Sequence, residues 1–134
     1  MNDALLLIGR VLVALLFLMT VLVGGPSSGY LNSLGFPAPD VCSVIARTAE
    51  WLIILSMILG AATRTGALLG IVYVVVATAV AHRYWEVPPA QHLFQYTNFS
   101  KNLAILGAFL FIYVTGAGAL SVDRLWRSRR AAGS

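Results

Sequence analysis

Four apolar stretches, each of about the length needed to cross a bilayer, occupy more than half of this 134-residue chain. They run about 4–23, 43–62, 66–84 and 102–120. A hydrocarbon core about 30 Å thick needs about 20 residues at about 1.5 Å rise each. The third stretch meets that length only because His82–Tyr84 continue it to the interface, where amphipathic side chains snorkel. A charged content of only 10% and a mean hydropathy of +0.84 agree. Segments such as Val21–Gly25 and Ile71–Val76 are apolar on every side, which means lipid or deep burial. The first stretch reads as an uncleaved span and not a secretory signal, since it is long, lacks a preceding basic run and is followed by three more spans. The expected fold is all-α: one domain over 1–134, an integral membrane four-helix bundle running up-down-up-down, with a basic tail at 121–134.

Several chemistries are excluded by what is missing. Cys42 is the lone cysteine, so no disulfide, CxxC redox pair or cysteine metal site forms within one chain. Two histidines, His82 and His92, do not make a metal cluster or a haem site by themselves, and no metal is expected. No glycine loop for phosphate is present. The net charge of +4 does not signal nucleic acid, because it sits beside a span. Arg124, Arg127, Arg129 and Arg130 follow the fourth stretch, where cations are drawn to anionic lipid headgroups by about 1 kcal/mol each.

The connections are readable from their breakers. Gly24-Gly25-Pro26 and Pro37-Ala38-Pro39 bound a first loop in which Tyr30, Leu31, Leu34 and Phe36 form a short interfacial amphipathic turn. Asp40 is placed to cap the second helix. The Thr63–Thr65 turn is so short that its spans must be antiparallel neighbours. Residues 84–100 read as a second loop, with Trp85, Phe94, Tyr96 and Phe99 as an aromatic belt. Gly60-Ala61-Ala62, Gly66-x-x-x-Gly70, Gly107 and Gly116-Ala117-Gly118 signal close helix packing.

Function in such a chain must come from its few polar groups at depth, because charges there are costly and face partners. Arg47 and Glu50 share one helix face. His82, Lys101 and Asn102 stand at the same end of their spans, so these five residues form a candidate polar pocket. Arg10 approaches from the other end and is expected to form a structural ion pair with Glu50. Three readings stay open: an Arg–Glu pair that only sets helix register, a pocket for a quinone or catechol with Trp51 or Tyr84 against its ring, and a proton path through Glu50 and His82.

The ordered set of segments resembles the DoxX family over nearly the whole chain. It comprises Ile8-Gly9-Arg10-Val11 through Phe17-Leu18, Leu34-Gly35-Phe36-Pro37-Ala38-Pro39, Ala49-Glu50 with Leu59-Gly60 and Thr63-Arg64-Thr65-Gly66-Ala67, then Asn98–Ala104, Gly116-Ala117-Gly118 and Ser121-Val122-Asp123. One departure stands out: relatives usually carry a Gly–Lys pair near the end of the first helix, and Thr20–Gly25 here holds no lysine. The resemblance implies a bacterial inner-membrane bundle with a redox- or quinone-linked role, as a subunit of a larger membrane complex. The alternative is a non-catalytic accessory subunit that docks or stabilises a membrane enzyme; a small-solute transporter has too few polar groups. No reaction is assigned.

Charge also orients the bundle. One side would hold Arg64 and the four tail arginines, and the other Arg83 and Lys101, so both termini are expected in the cytoplasm. In a Cys42→Ser background, Ser128→Cys should resist a membrane-impermeant thiol reagent in intact cells. Efficient labelling would reverse the orientation.

Overall fold

The computed structural model describes residues 2–132. Among them there are six α-helices and no strands: α1 (Asn2–Leu22), α2 (Ser28–Ser33), α3 (Pro39–Leu59), α4 (Thr63–Ala81), α5 (Pro89–Thr115) and α6 (Val122–Ala132). A single 3-10 turn at Tyr84–Glu86 joins α4 to α5. α1, α3, α4 (with its 3-10 extension) and α5 are each long and apolar enough to cross a membrane.

Each span buries one narrow stripe. In α1 this is Arg10, Ala14 and Phe17; in α3 it is Glu50, Ile53, Ile54 and Met57. In α4 the stripe is lined by small groups, Thr63, Gly66, Ala67 and Gly70, with Val74 and Thr78 above them. The three- and four-residue steps place such residues over one another on a helix. Only 11–22% of each span is buried, and the remaining faces carry leucine, valine and isoleucine toward lipid.

α1 packs on α3, α3 on α4, α4 on α5, and α5 returns to α1. The order of contacts gives the directions. Arg10 of α1 meets Met57 near the end of α3, whereas Gly24, beyond the end of α1, meets Arg47 near the start of α3. Likewise Thr78 meets Asn102, and Arg64 meets Val114, between α4 and α5. Both pairs therefore run antiparallel. The start of α1, the α3–α4 turn and the α5–α6 connection gather at one end, called here the terminal end. The segments 23–38 and 82–88 lie at the loop end.

Phe17 sits at the centre, edge-on to Tyr73 (5.6 Å) and to Phe109 (5.7 Å). Gly70 makes this possible, because a Cβ there would enter the Phe109 ring, and Gly66 admits Ser56 in the same way. The Gly66/Gly70 pair is thus spent on packing within the chain.

Several boundaries differ from the sequence expectation. α5 begins at Pro89 and not near Asn102, so most of the expected second loop is helix. Polar residues 91–100 lowered the hydropathy, but proline at the first helical position is a good start signal, its missing N–H costing nothing there. α5 ends at Thr115, where Gly116 (φ +76°) turns the chain. Gly116 and Gly118 are thus turn residues, not a helix-packing motif. Asp40 lies in the first turn of α3 but caps nothing; Ala38 precedes the helix in a left-handed conformation, with no side-chain cap. The expected amphipathic turn is α2, capped by Ser27 and docked on α3 through buried Leu31.

Gly70→Ala should cost about 1–3 kcal/mol by overpacking against Phe109. Gly107→Ala has open space around it and should be neutral or gain up to about 1 kcal/mol from helix propensity. Thermal unfolding in detergent, followed by circular dichroism, checks the contrast; equal effects would contradict the packing.

Candidate functional site

The five candidate pocket residues separate into independent groups. Glu50 is 1% exposed, and its Oε1 accepts a hydrogen bond from the Tyr73 hydroxyl at 2.7 Å. Its Oε2 is buried without a partner, beneath Gly25, where a Cβ would stand 3.3 Å away. Arg47 lies beside it, but its Nη2 donates to the Gly24 carbonyl at 2.7 Å. Arg47 therefore fastens the loop that covers Glu50, one turn from the carboxyl it was expected to share a ligand with.

The remaining three are His82, just past the end of α4, and two residues of α5. Asn102 is buried and donates through Nδ2 to Thr78 Oγ1 at 2.9 Å; Thr78 in turn donates to the Val74 carbonyl at 2.6 Å. Lys101 is exposed and reaches Asn98 Oδ1 at 3.0 Å, one turn back on its own helix. Neighbouring helical residues point about 100° apart, so Lys101 and Asn102 do not enter one cavity. His82 Nδ1 is 2.9 Å from Gln95 Oε1. Tyr84 stands edge-on to Trp85, His92, Tyr96 and Phe99, with centroids 5.0–5.4 Å apart. Trp51 is 43% exposed toward lipid.

Arg10 and Glu50 are not partners. Arg10 is 1% exposed and donates through Nη1 to the Met57 carbonyl (3.3 Å) and through Nη2 to the Leu120 carbonyl (2.6 Å). Helical rise alone puts the two residues at similar depth. Side chains, however, lean toward the N-terminus of their own helix. Because α1 and α3 are antiparallel, Arg10 leans to the terminal end and Glu50 to the loop end.

Two acids given no site role in the sequence expectation complete the terminal end. Asp123 accepts from the Ala62 amide (2.7 Å) and the Thr63 amide (2.9 Å), capping α4 from sixty residues away, and its own amide donates to the Gly60 carbonyl (2.9 Å). Asp3 accepts from the Ala119 amide at 2.7 Å. Partial burial pushes the Asp123 carboxyl upward, but Thr63, the Ala62 amide and the Arg127 charge outweigh it and hold it below the usual carboxylate range. The signal was present in the sequence, as lone acids beside span ends; nothing local said which helix each would cap. Ion pairing among the described residues is confined to Arg83–Glu86 at 2.8 Å, on the surface. The tail arginines lie on α6, and all four are exposed.

Two concavities, of about 180 and 210 Å³, lie at the terminal end against α6. None of Arg47, Glu50, His82, Lys101 and Asn102 lines either. Among the described residues no cluster of His, Cys, Asp and Glu could hold a metal ion.

Tyr73→Phe leaves Glu50 Oε1 without its donor and should cost about 1–3 kcal/mol in detergent stability. Arg10→Met should add to Glu50→Gln within about 0.5 kcal/mol, since the two side chains share no partner. Rescue of Glu50→Gln by Arg10→Met would mean instead that the two form an ion pair in the parent.

Residues 5–83, which take in nearly all of α1 through α4, match the family model described as DoxX. The inner membrane protein YphA of Escherichia coli (strain K12) is 36% identical over 130 residues, covering 92% of this chain and 91% of that protein. No solved structure matches the chain. With Arg10, Glu50 and Tyr73 inside the matched region, and the relative extending the similarity through α5, the chain belongs to the DoxX family.

Proposed function

We propose that this multi-pass inner-membrane protein is a non-catalytic accessory subunit that docks or stabilises a larger membrane enzyme. One observation carries the reading: the candidate pocket residues bond to separate partners, and none lines either concavity at the terminal end. A pocket for a polar-headed ring needs several donors converging on one space, and a ligand site is concave with few, well-aimed polar groups. Here Asn102 is used by Thr78, His82 by Gln95 and Arg47 by a loop carbonyl. Spending polar groups on the helices' own register suits a scaffold, whose work is to hold a shape against partners in lipid.

A second reading is favoured by one atom. Glu50 Oε2 is buried and unpartnered, and an orphaned acceptor at depth is costly unless something donates to it. A quinol or catechol hydroxyl would do so, giving the redox-linked role.

One experiment separates the two. The tagged full chain is extracted in native lipid with a styrene–maleic acid copolymer, then analysed for protein partners and for quinone. The accessory reading expects a distinct membrane protein at fixed stoichiometry, no bound quinone, and no change in either for Lys101→Met. A solitary chain carrying one quinone, lost in Glu50→Gln, would overturn it and establish the second reading.

A further inference from the structure

The two concavities at the terminal end are not used by the packing of the bundle. They lie on either side of Arg127 and share it with Asp123. The smaller is walled by the start of α4 (62–65), the end of α5 (115–117) and the first turns of α6. The other adds Trp126 and Arg130. Three guanidinium groups thus line the two concavities, Arg64 in the first, Arg130 in the second and Arg127 in both, with Asp123 as the one carboxylate. Among the described residues none of the three is ion-paired with an acid. Both oxygens of Asp123 are engaged by the Ala62 and Thr63 amides, which offset part of its charge.

Donors remain. Arg64 spends only Nη2, on the Val114 carbonyl at 3.3 Å. The first intrahelical amide bond of α4 is Gly66 to Ala62 (2.9 Å), so the Arg64 and Thr65 amides before it have no helical partner and are not taken by Asp123. Guanidinium forks match phosphate oxygens closely. Depth agrees: Thr63 and Thr115 end their spans, which puts the hollow at the level of lipid headgroups. α6 then exposes Leu125 (58%) and Trp126 (54%) among its arginines, the composition of a helix lying in the interface.

We propose that the junction of α4, α5 and α6 binds the phosphodiester of an anionic phospholipid, clasped between Arg64 and Arg127 with Arg130 and Trp126 flanking it. The hollow is small enough for a headgroup phosphate, and the acyl chains run down the lipid-facing sides of α4 and α5. This site is independent of the accessory reading: it is a defined position for one lipid, distinct from general attraction of the tail to a charged surface.

The test uses the full chain in phosphatidylcholine nanodiscs containing a minor fraction of phosphatidylglycerol, with retained lipid counted by native mass spectrometry. The parent should keep one phosphatidylglycerol against excess phosphatidylcholine. Arg64→Gln and Arg127→Gln should each weaken retention roughly tenfold. Arg124→Gln, on α6 but lining neither concavity, removes only a surface charge and should weaken retention clearly less than either. Millimolar inorganic phosphate should not displace the lipid; stoichiometric displacement would keep the phosphate site and overturn the lipid as its source. Equal losses in all three variants would mean diffuse surface charge, and a parent that retains neither lipid nor phosphate would refute the site. Circular dichroism confirms folding, and if Arg64→Gln fails to fold, Arg127→Gln on exposed α6 decides.

Discussion

The terminal end of the bundle is organised by one buried guanidinium. Arg10 reaches from α1 to a carbonyl in the last turn of α3 and to the Leu120 carbonyl in the α5–α6 connection. Two fixed acceptors in different directions are what a planar fork serves and a single ammonium does not. The Met57 carbonyl is one that the end of α3 leaves without an intrahelical partner, and the Leu120 carbonyl belongs to a connection with no helix to satisfy it. Gly60 is required by the same contact. Its left-handed conformation ends α3, and a Cβ at that position would run into the Arg10 guanidinium and Ser121. Asp123 then takes the Ala62 and Thr63 amides and Asp3 the Ala119 amide. Three charged side chains, all directed at backbone, bring together elements far apart in sequence.

The loop end is built differently. Its polar contacts are local or side chain to side chain: Ser27 caps its own helix, Arg83 pairs with Glu86, and Lys101 holds Asn98. Among the charged groups described there, Arg47 to Gly24 and Glu50 to Tyr73 tie distant segments together. Few long-range bonds and a short docked helix place this end toward the lower range of local stability. The aromatic cluster around Tyr84 stiffens the α4–α5 corner but does not reach Glu50.

Span number and membrane character were legible because lipid demands long runs without charge, and nothing else in a chain this short imitates that. Boundaries were less so, since hydropathy reports the bilayer and not the helix; α5 runs on from Pro89 through residues too polar to count as a span. The buried residues Arg10, Glu50 and Asn102 were identifiable from their charge or polarity at depth. Their partners were not. Partner choice depends on which way each side chain leans and which face a one-residue step selects, and Lys101 beside Asn102 shows how far a single step matters. Tyr73 was invisible for a further reason: a tyrosine in an apolar run reads as hydrophobic until a carboxyl is found beside its hydroxyl.

Glu50 ties the departure from the family pattern to the geometry. The segment Thr20–Gly25, where the family resemblance leads one to expect a Gly–Lys pair, is the segment that closes over Glu50. A lysine there would bring an ammonium to the loop end of α1, within the reach of a carboxyl facing that end. With Val23-Gly24-Gly25 in its place, the nearby cation is Arg47, whose Nη2 is held by the loop carbonyl. The carboxyl is left with a phenol on one oxygen and nothing on the other. A buried pair broken by removing one partner usually leaves the other uncompensated. In this chain the acid lies under a glycine turn with Tyr73 as its one hydrogen-bond donor among the described residues, so its place in the buried α3 stripe rests on packing and on that single bond.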